Sequence, residues 1–252
     1  MQEIVSALTD QHAELDAIVA PLTEAEWLAP TPRCPGWTVS DVVLHLAQTD
    51  EMALASVEGR FSEALEAFAR GLAEVSSVDD GAGALVEAER GAPPAAVFER
   101  WRDSASALRQ AFAGCDPRER VQWVVGDMAA RTLATTRLAE CWIHTGDVLA
   151  AFGRPVVVGE RLRHIARLAW RTLPYAFASA GRTLAGPVRF ELTGPDGEVW
   201  VFATEEPPTT TITGPALDLC QVAGQRADAS QTALSGSGPD VAAVLELVRT
   251  FA

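Results

Sequence analysis

The chain has 252 residues and a formal net charge of −14, enough length for one large domain or two modest ones. That acidity argues against nucleic acids and anionic membranes as partners, because both require a positive face. All twenty basic residues are arginine, which excludes Schiff-base catalysis, a lysine general base and a P-loop lysine.

The first 155 or so residues read as helices. Apolar positions at Ile4, Leu8, Leu15, Ile18 and Val19 recur with a helical period over 2–20. Pro30, Pro32 and Pro35-Gly36 break the chain, and Thr38 then offers an N-cap with Asp41 three residues on. That helix runs to about Val57, and a further helical stretch covers about 60–75. The segment D-D-G-A-G-A at 79–84 and Pro93-Pro94 read as loop, helix returns over about 95–113, and V-Q-W-V-V is a short apolar patch. A long helix over 127–152 stops at Gly153 and Pro155. Four long helices make a bundle the economical fold for this half.

The character then changes. Residues 160–180 are helical and rich in arginine, and V-R-F-E-L-T at 188–193 and E-V-W-V-F at 198–202 flank a turn as a hairpin does. T-T-T-I-T at 209–213 reads as a third strand, 215–224 as a short helix, 232–238 as a fourth strand with its turn, and 239–251 as a closing helix. The boundary is expected between 155 and 185. No charge-free apolar run reaches the roughly 18 to 20 residues of a membrane helix. The start M-Q-E-I-V-S-A-L-T-D lacks the basic and apolar regions of a signal peptide, so the expected location is the cytoplasm.

Chemistry concentrates in R-L-A-E-C-W-I-H-T-G-D-V. Glu140 and His144 are four apart on a helix, so both side chains leave one face and can share a cation; imidazole with carboxylate suits zinc or a similar divalent ion. An exposed ion pair would have the same spacing, but Leu133, Leu138, Trp142, Ile143 and Val148 make this helix apolar on most sides. His45, in C-P-G-W-T-V-S-D-V-V-L-H-L-A, sits in another helical pattern; it is a third ligand if the two helices face each other, and a polar core residue otherwise. Two further residues lean the same way and are the candidate catalytic groups. Asp147 could orient a bound water, support a ligand or close a helix end; Arg137 could hold a carboxylate, neutralise Glu140 or form a salt bridge within the bundle. Trp37 and Trp142 are read as core, with the lining of a pocket as the alternative, and His12 and His164 as ordinary surface or core residues. Of the four cysteines, Cys34, Cys115, Cys141 and Cys220, none forms a C-x-x-C pair; all are read as free thiols, with Cys141 in the core and Cys34 near the site.

The C-P-G-W-T-V-S-D-V-V-L-H-L-A segment resembles the signature of the DinB-like, mycothiol-dependent maleylpyruvate isomerase superfamily, and E-x-x-x-H followed by G-D-V resembles its second metal motif. The stretches F-E-L-T-G-P-D-G-E-V-W, I-T-G-P-A-L-D-L-C and T-A-L-S-G-S-G-P are similar to the small sterol-carrier-like domain of that family, in an actinobacterial subgroup of metal-binding proteins. The resemblance implies a fold of class α plus α/β, with a DinB-like four-helix bundle over 1–157 and a linker helix and α+β domain over 158–252. It implies a divalent metal, zinc first, held by His45, Glu140 and His144, with mycothiol as a candidate thiol cosubstrate. The expected function is a metal-dependent, thiol-dependent isomerase or S-transferase for a small electrophilic, enone-type substrate: a thiolate adds to the double bond, the new single bond rotates, and thiol loss gives the trans isomer. The alternatives are a natural-product isomerase or cyclase that needs no thiol, and a non-catalytic protein that binds a small molecule or metal. The partners expected are a small-molecule substrate and, as bundles of this size often pair, a second copy in a homodimer.

Overall fold

A computed structural model describes residues 1–71 and 77–250, and the chain divides into two units, Met1–Val156 and Val157–Ala252. The first is built from helices. Helix α1 (Gln2–Val19) buries Ile4, Leu8, Leu15 and Val19 along one stripe. A one-turn helix α2 (Glu24–Trp27) follows, set by a capping box between Thr23 and Glu26. Helix α3 (Val39–Val57) starts at Thr38, whose hydroxyl accepts from the Asp41 amide while the Asp41 carboxylate accepts from the Thr38 amide. An aspartate thus closes a full capping box.

Helix α4 (Phe61–Ala69) begins the stretch expected as helix to 75; positions 72–75 lie outside the described residues. The loop expected at 79–84 is instead part of helix α5 (Val78–Glu89). Each helical glycine costs about 1 kcal/mol against alanine. The Ser77 hydroxyl caps the Asp80 amide, Val86 is fully buried, and Gln48 of α3 donates to the Leu85 carbonyl and the Glu89 carboxylate, which together offset Gly81 and Gly83. Helix α6 (Pro94–Gly114) carries proline in its first turn, where the missing amide hydrogen costs nothing. The apolar patch at 121–125 places Val121 in β1 (Arg120–Val121) and the rest in the connection to β2 (Met128–Ala129), which pairs antiparallel with β1, so helix α7 (Ala130–Ala151) starts three residues later than its pattern suggests. Past its end Gly153 takes φ +63° and the Arg154 amide returns to the Leu149 carbonyl.

Helices α1, α3, α6 and α7 pack as a four-helix bundle. Leu15, Val19, Val42, Leu46, Trp101, Val148 and Leu149 form its core, each aliphatic side chain contributing about 1.5–3 kcal/mol. Helix α7 is the exception to simple amphipathicity. It is buried nearly all round, yet among its buried residues are Arg137, Glu140, His144, Thr145 and Asp147. Buried polar groups are costly without partners, so their partners are the informative feature of this unit.

The second unit opens with α8 (Leu162–Ser179). Strands β3 (Val188–Thr193) and β4 (Val199–Phe202) form the expected hairpin, with Phe190 opposite Phe202 and Thr193 opposite Val199. Strand β5 (Thr210–Pro215) runs parallel to β3, helix α9 (Ala216–Ala223) follows, and β6 (Ser235–Ser237) pairs antiparallel with β5, giving the order β4-β3-β5-β6. Val188, Phe190, Leu192, Trp200, Phe202, Thr210 and Ile212 are the buried members of its alternating strands. The hairpin turn requires Gly194, because a Cβ there would lie 2.7 Å from the Trp200 indole. Helix α10 (Val241–Leu247) is shorter than the 239–251 expected: Val248 turns to extended backbone, the Thr250 amide bonds to the Ala223 carbonyl, and 251 lies outside the described residues. Among the described residues no helix is long and apolar enough to cross a membrane.

Candidate metal centre

His45 stands on α3, two turns past the Thr38 cap, and faces Glu140 and His144 on α7. His45 Nε2 lies 3.6 Å from Glu140 Oε2, and His144 Nε2 lies 3.6 Å from the same oxygen. The two imidazole centroids are 4.9 Å apart, edge to face at 72°. These separations are longer than hydrogen bonds. Donors about 2.0–2.1 Å from one tetrahedral ion would be roughly 3.3–3.4 Å apart, so three buried donor atoms converge around a gap of ionic size. The chemistry of the set, two nitrogens and a carboxylate oxygen, fits a divalent ion such as zinc.

The surrounding charges suit that use at His45 and Glu140, whereas His144 must give up a proton to a bound cation. Burial pushes the His45 imidazole below its ordinary value, which leaves it neutral with a lone pair to offer. Burial alone would raise the Glu140 carboxyl, but the adjacent His144 and His45 and the Arg137 guanidinium outweigh it and hold the group well below the usual carboxylate range. Burial also opposes a charged His144, yet Asp147, Cys34 and Glu140 outweigh it and raise that imidazole well above its ordinary value.

His144 Nδ1 faces away from Glu140 and lies 3.0 Å from Asp147 Oδ2. The Cys34 thiol donates to the same oxygen at 3.2 Å. Asp147 is fully buried, and its carboxylate supports the imidazole rather than closing a helix end. Arg137 is also fully buried, and its guanidinium donates to Asp50 Oδ1 at 3.0 Å and to Thr49 Oγ1 at 2.8 Å. The Thr49 hydroxyl donates in turn to the His45 carbonyl at 2.7 Å, so Arg137 ties α7 to α3 one turn from His45.

Trp142 is buried in the bundle as expected, and so is Cys141, whose thiol burial pushes up. Trp37 packs on the apolar core too, but its ring also lies 5.3 Å from that of His45 and 6.5 Å from that of His144, stacked on the latter at 24°. It is therefore a half-buried wall of the site as well as a core residue. His12 is a buried polar residue whose Nδ1 accepts from Arg109 at 2.6 Å and whose Nε2 lies 3.9 Å from Asp50; His164 is half-buried in the second unit. Asp50 was not singled out by the sequence reading. It lies five residues past His45 in the polar run Q-T-D-E at 48–51, which reads locally as a solvated face.

Residues 8–149 match the family model described as the mycothiol maleylpyruvate isomerase N-terminal domain. Two uncharacterized proteins of Mycobacterium tuberculosis, from strains CDC 1551 / Oshkosh and ATCC 25618 / H37Rv, are each 34% identical to this chain over 251 residues, covering 98% of it and 95% of the relative. Crystal structures of the mycothiol-dependent maleylpyruvate isomerase and of one of its histidine-to-alanine mutants superpose with a TM-score of 0.60 at 17% identity, covering 95% of both chains. That likeness is one of fold: a helical region followed by a small mixed-sheet unit. The matched span contains every group of the site just described, from Cys34 to Asp147, and the chain belongs to the mycothiol maleylpyruvate isomerase family, within the DinB-like superfamily.

Proposed function

We propose that the protein is a metal-dependent isomerase or S-transferase that uses a small thiol, mycothiol in the first instance, on a small electrophilic substrate of the enone type. The observation that carries this reading is the convergence of His45 Nε2, Glu140 Oε2 and His144 Nε2. Three protein donors leave room for an exogenous ligand. A divalent ion held by His45, Glu140 and His144 would lower the pKa of a thiol bound to it and so supply a nucleophile at neutral pH.

The chain's own residues divide the remaining work. Asp147 accepts a hydrogen bond from His144 Nδ1, which leaves Nε2, on the side of Glu140 and His45, as the nitrogen that would lose its proton to a bound cation. Arg137 holds α7 against α3 through Asp50 and Thr49, which engage its buried guanidinium. Trp37 excludes water from one side of the imidazole pair. The chain's own thiols do not suit a nucleophilic role. Cys141 and Cys220 are buried with their ionisation disfavoured, burial likewise raises Cys115, and Cys34 is engaged with Asp147. An imported thiol is the consistent choice.

The carrier reading has less support. The second unit carries an open groove of about 940 Å³ lined by Gln225, Arg226, Ser230, Gln231 and Arg249 among others, and such a polar lining does not suit an apolar molecule. The small-molecule partner of this proposal follows from the chemistry of the site; light scattering checks the homodimer. The deciding experiment measures metal content and turnover of a cis-enone acid with and without mycothiol. About one ion per chain, lost in His144→Ala, with turnover that needs both metal and thiol, is the expected result. Metal-dependent turnover without thiol would favour the thiol-free isomerase or cyclase, and no metal binding at micromolar zinc would overturn the reading.

A further inference from the structure

Cys34, Pro35, Gly36 and Trp37 form one tight turn. The Trp37 amide donates to the Cys34 carbonyl at 3.0 Å, and Gly36 at the third position takes φ +84°. That is the pattern of a type II turn, which favours proline second and needs glycine third. Such a turn brings its first and fourth residues together, and here both reach the same imidazole. The Trp37 ring stacks on His144. The Cys34 thiol donates to Asp147 Oδ2, the oxygen that also accepts from His144 Nδ1.

The turn is held from outside the metal centre. Thr31 binds the Trp37 carbonyl through both its amide, at 2.9 Å, and its hydroxyl, at 3.0 Å. Arg90, just past α5, donates to the Gly36 carbonyl at 3.3 Å and to Asp41, the capping residue of α3, at 3.2 Å. The turn is therefore a fixed part of the bundle, able to constrain what it touches.

We propose that this turn is a clamp on His144, and that Cys34 is a positioning residue for the metal centre that acts through Asp147. The thiol restrains the Asp147 carboxylate so that Oδ2 stays in line with Nδ1, and the ring's Nε2 stays aimed at the gap shared with Glu140 and His45. This assigns the thiol a role other than nucleophile or ligand. It lies on the Nδ1 side of the ring with Asp147, where Cys34, His144 and Asp147 offer donor atoms within 4.8 Å of one another, apart from the group of His45, Glu140 and His144 on the Nε2 side. The inference rests on the metal-site reading above.

The test is a double-mutant cycle read as zinc affinity, by competition with a chromogenic chelator. Asp147→Asn is expected to weaken binding about 10- to 100-fold, as loss of a partner behind a metal-bound histidine does. Cys34→Ala is expected to weaken it about 3- to 10-fold, and Cys34→Ser, which keeps a donor, to restore part of that loss. Because the thiol acts through the carboxylate, Cys34→Ala is expected to add nothing in the Asp147→Asn background. A second readout needs no metal: the hydrogen-bonded Nδ1 proton of His144 in the NMR spectrum of the metal-free protein shifts in Cys34→Ala and much less in Cys34→Ser. If Cys34→Ala leaves both zinc affinity and that resonance unchanged, or if the two substitutions prove additive, the clamp is overturned. Failure of the metal-site reading looks different: wild-type protein then binds no zinc at all, or His144→Ala binds it equally well.

Discussion

Glu140 and His144 show how far a residue pair can be read without a fold. Their spacing was sufficient to place both on one face, because a helix repeats every 3.6 residues, but a solvated ion pair has the same spacing. His45 removes the ambiguity by arriving at 3.6 Å from the shared carboxylate. A second buried histidine behaves differently. Burial, followed by Arg109 and Arg137, pushes His12 down to about 3 from the ordinary 6.5. Between those values the unfolded chain carries the extra proton, so this histidine lowers stability as pH falls through the window. Asp50, pushed up by burial to about 6 from 3.8 despite the neighbouring Arg137, acts in the opposite sense between 3.8 and 6. His12→Gln removes the first effect and leaves the second. The urea midpoint of that variant is expected to fall less than that of the wild type between pH 6.5 and 4.5, and an equal fall in both would contradict the neutral buried histidine. In NMR titrations the His12 ring is expected to show no protonation between pH 5 and 8.

At the scale of elements, α7 is set on α3 by a polar pairing inside an apolar bundle. Arg137 and Asp50 are each at most 2% exposed, so removing one partner strands the other. Arg137→Met is expected to cost about 3–5 kcal/mol, and adding Asp50→Leu to recover most of it, because an uncompensated buried charge is costlier than a packed apolar pair. Chemical denaturation of the two variants checks this, and a small effect of Arg137→Met alone would mean that water reaches the pair. The register of the two helices is therefore decided by side chains about ninety positions apart (|i−j| 87). Other elements were visible locally and still misread. Glycines at 81 and 83 suggested a loop, but Ser77 and Gln48 hold that segment as α5. Thr23 with Glu26 spelled a capping box that no apolar period accompanied, so α2 passed unnoticed.

For the whole molecule, the candidate metal centre joins two helices distant in sequence, so an ion bound there would couple binding to stability. A ligand that binds only the folded state stabilises it by about 2.7 kcal/mol at a concentration one hundred times its Kd. Zinc is expected to raise the Tm of the wild type by several degrees and a chelator to reverse this, with neither effect in His144→Ala. Calorimetry checks the pair, and a rise of equal size in the variant would place the ion elsewhere. The two-part architecture was legible because its halves use different periods, near 3.6 in Met1–Val156 and near 2 in the strands of Val157–Ala252. By itself the sequence determined those periods, the caps at Thr38 and Gly153, and the one-face placement of Glu140 with His144, because each depends only on neighbours within a helical turn or a pleat. Only the tertiary structure decided that His45 faces them, that Arg137 is committed to Asp50, and that Cys34 and Trp37 meet His144. Those contacts join residues tens of positions apart, and which residues meet depends on how the helices pack, which no local pattern records.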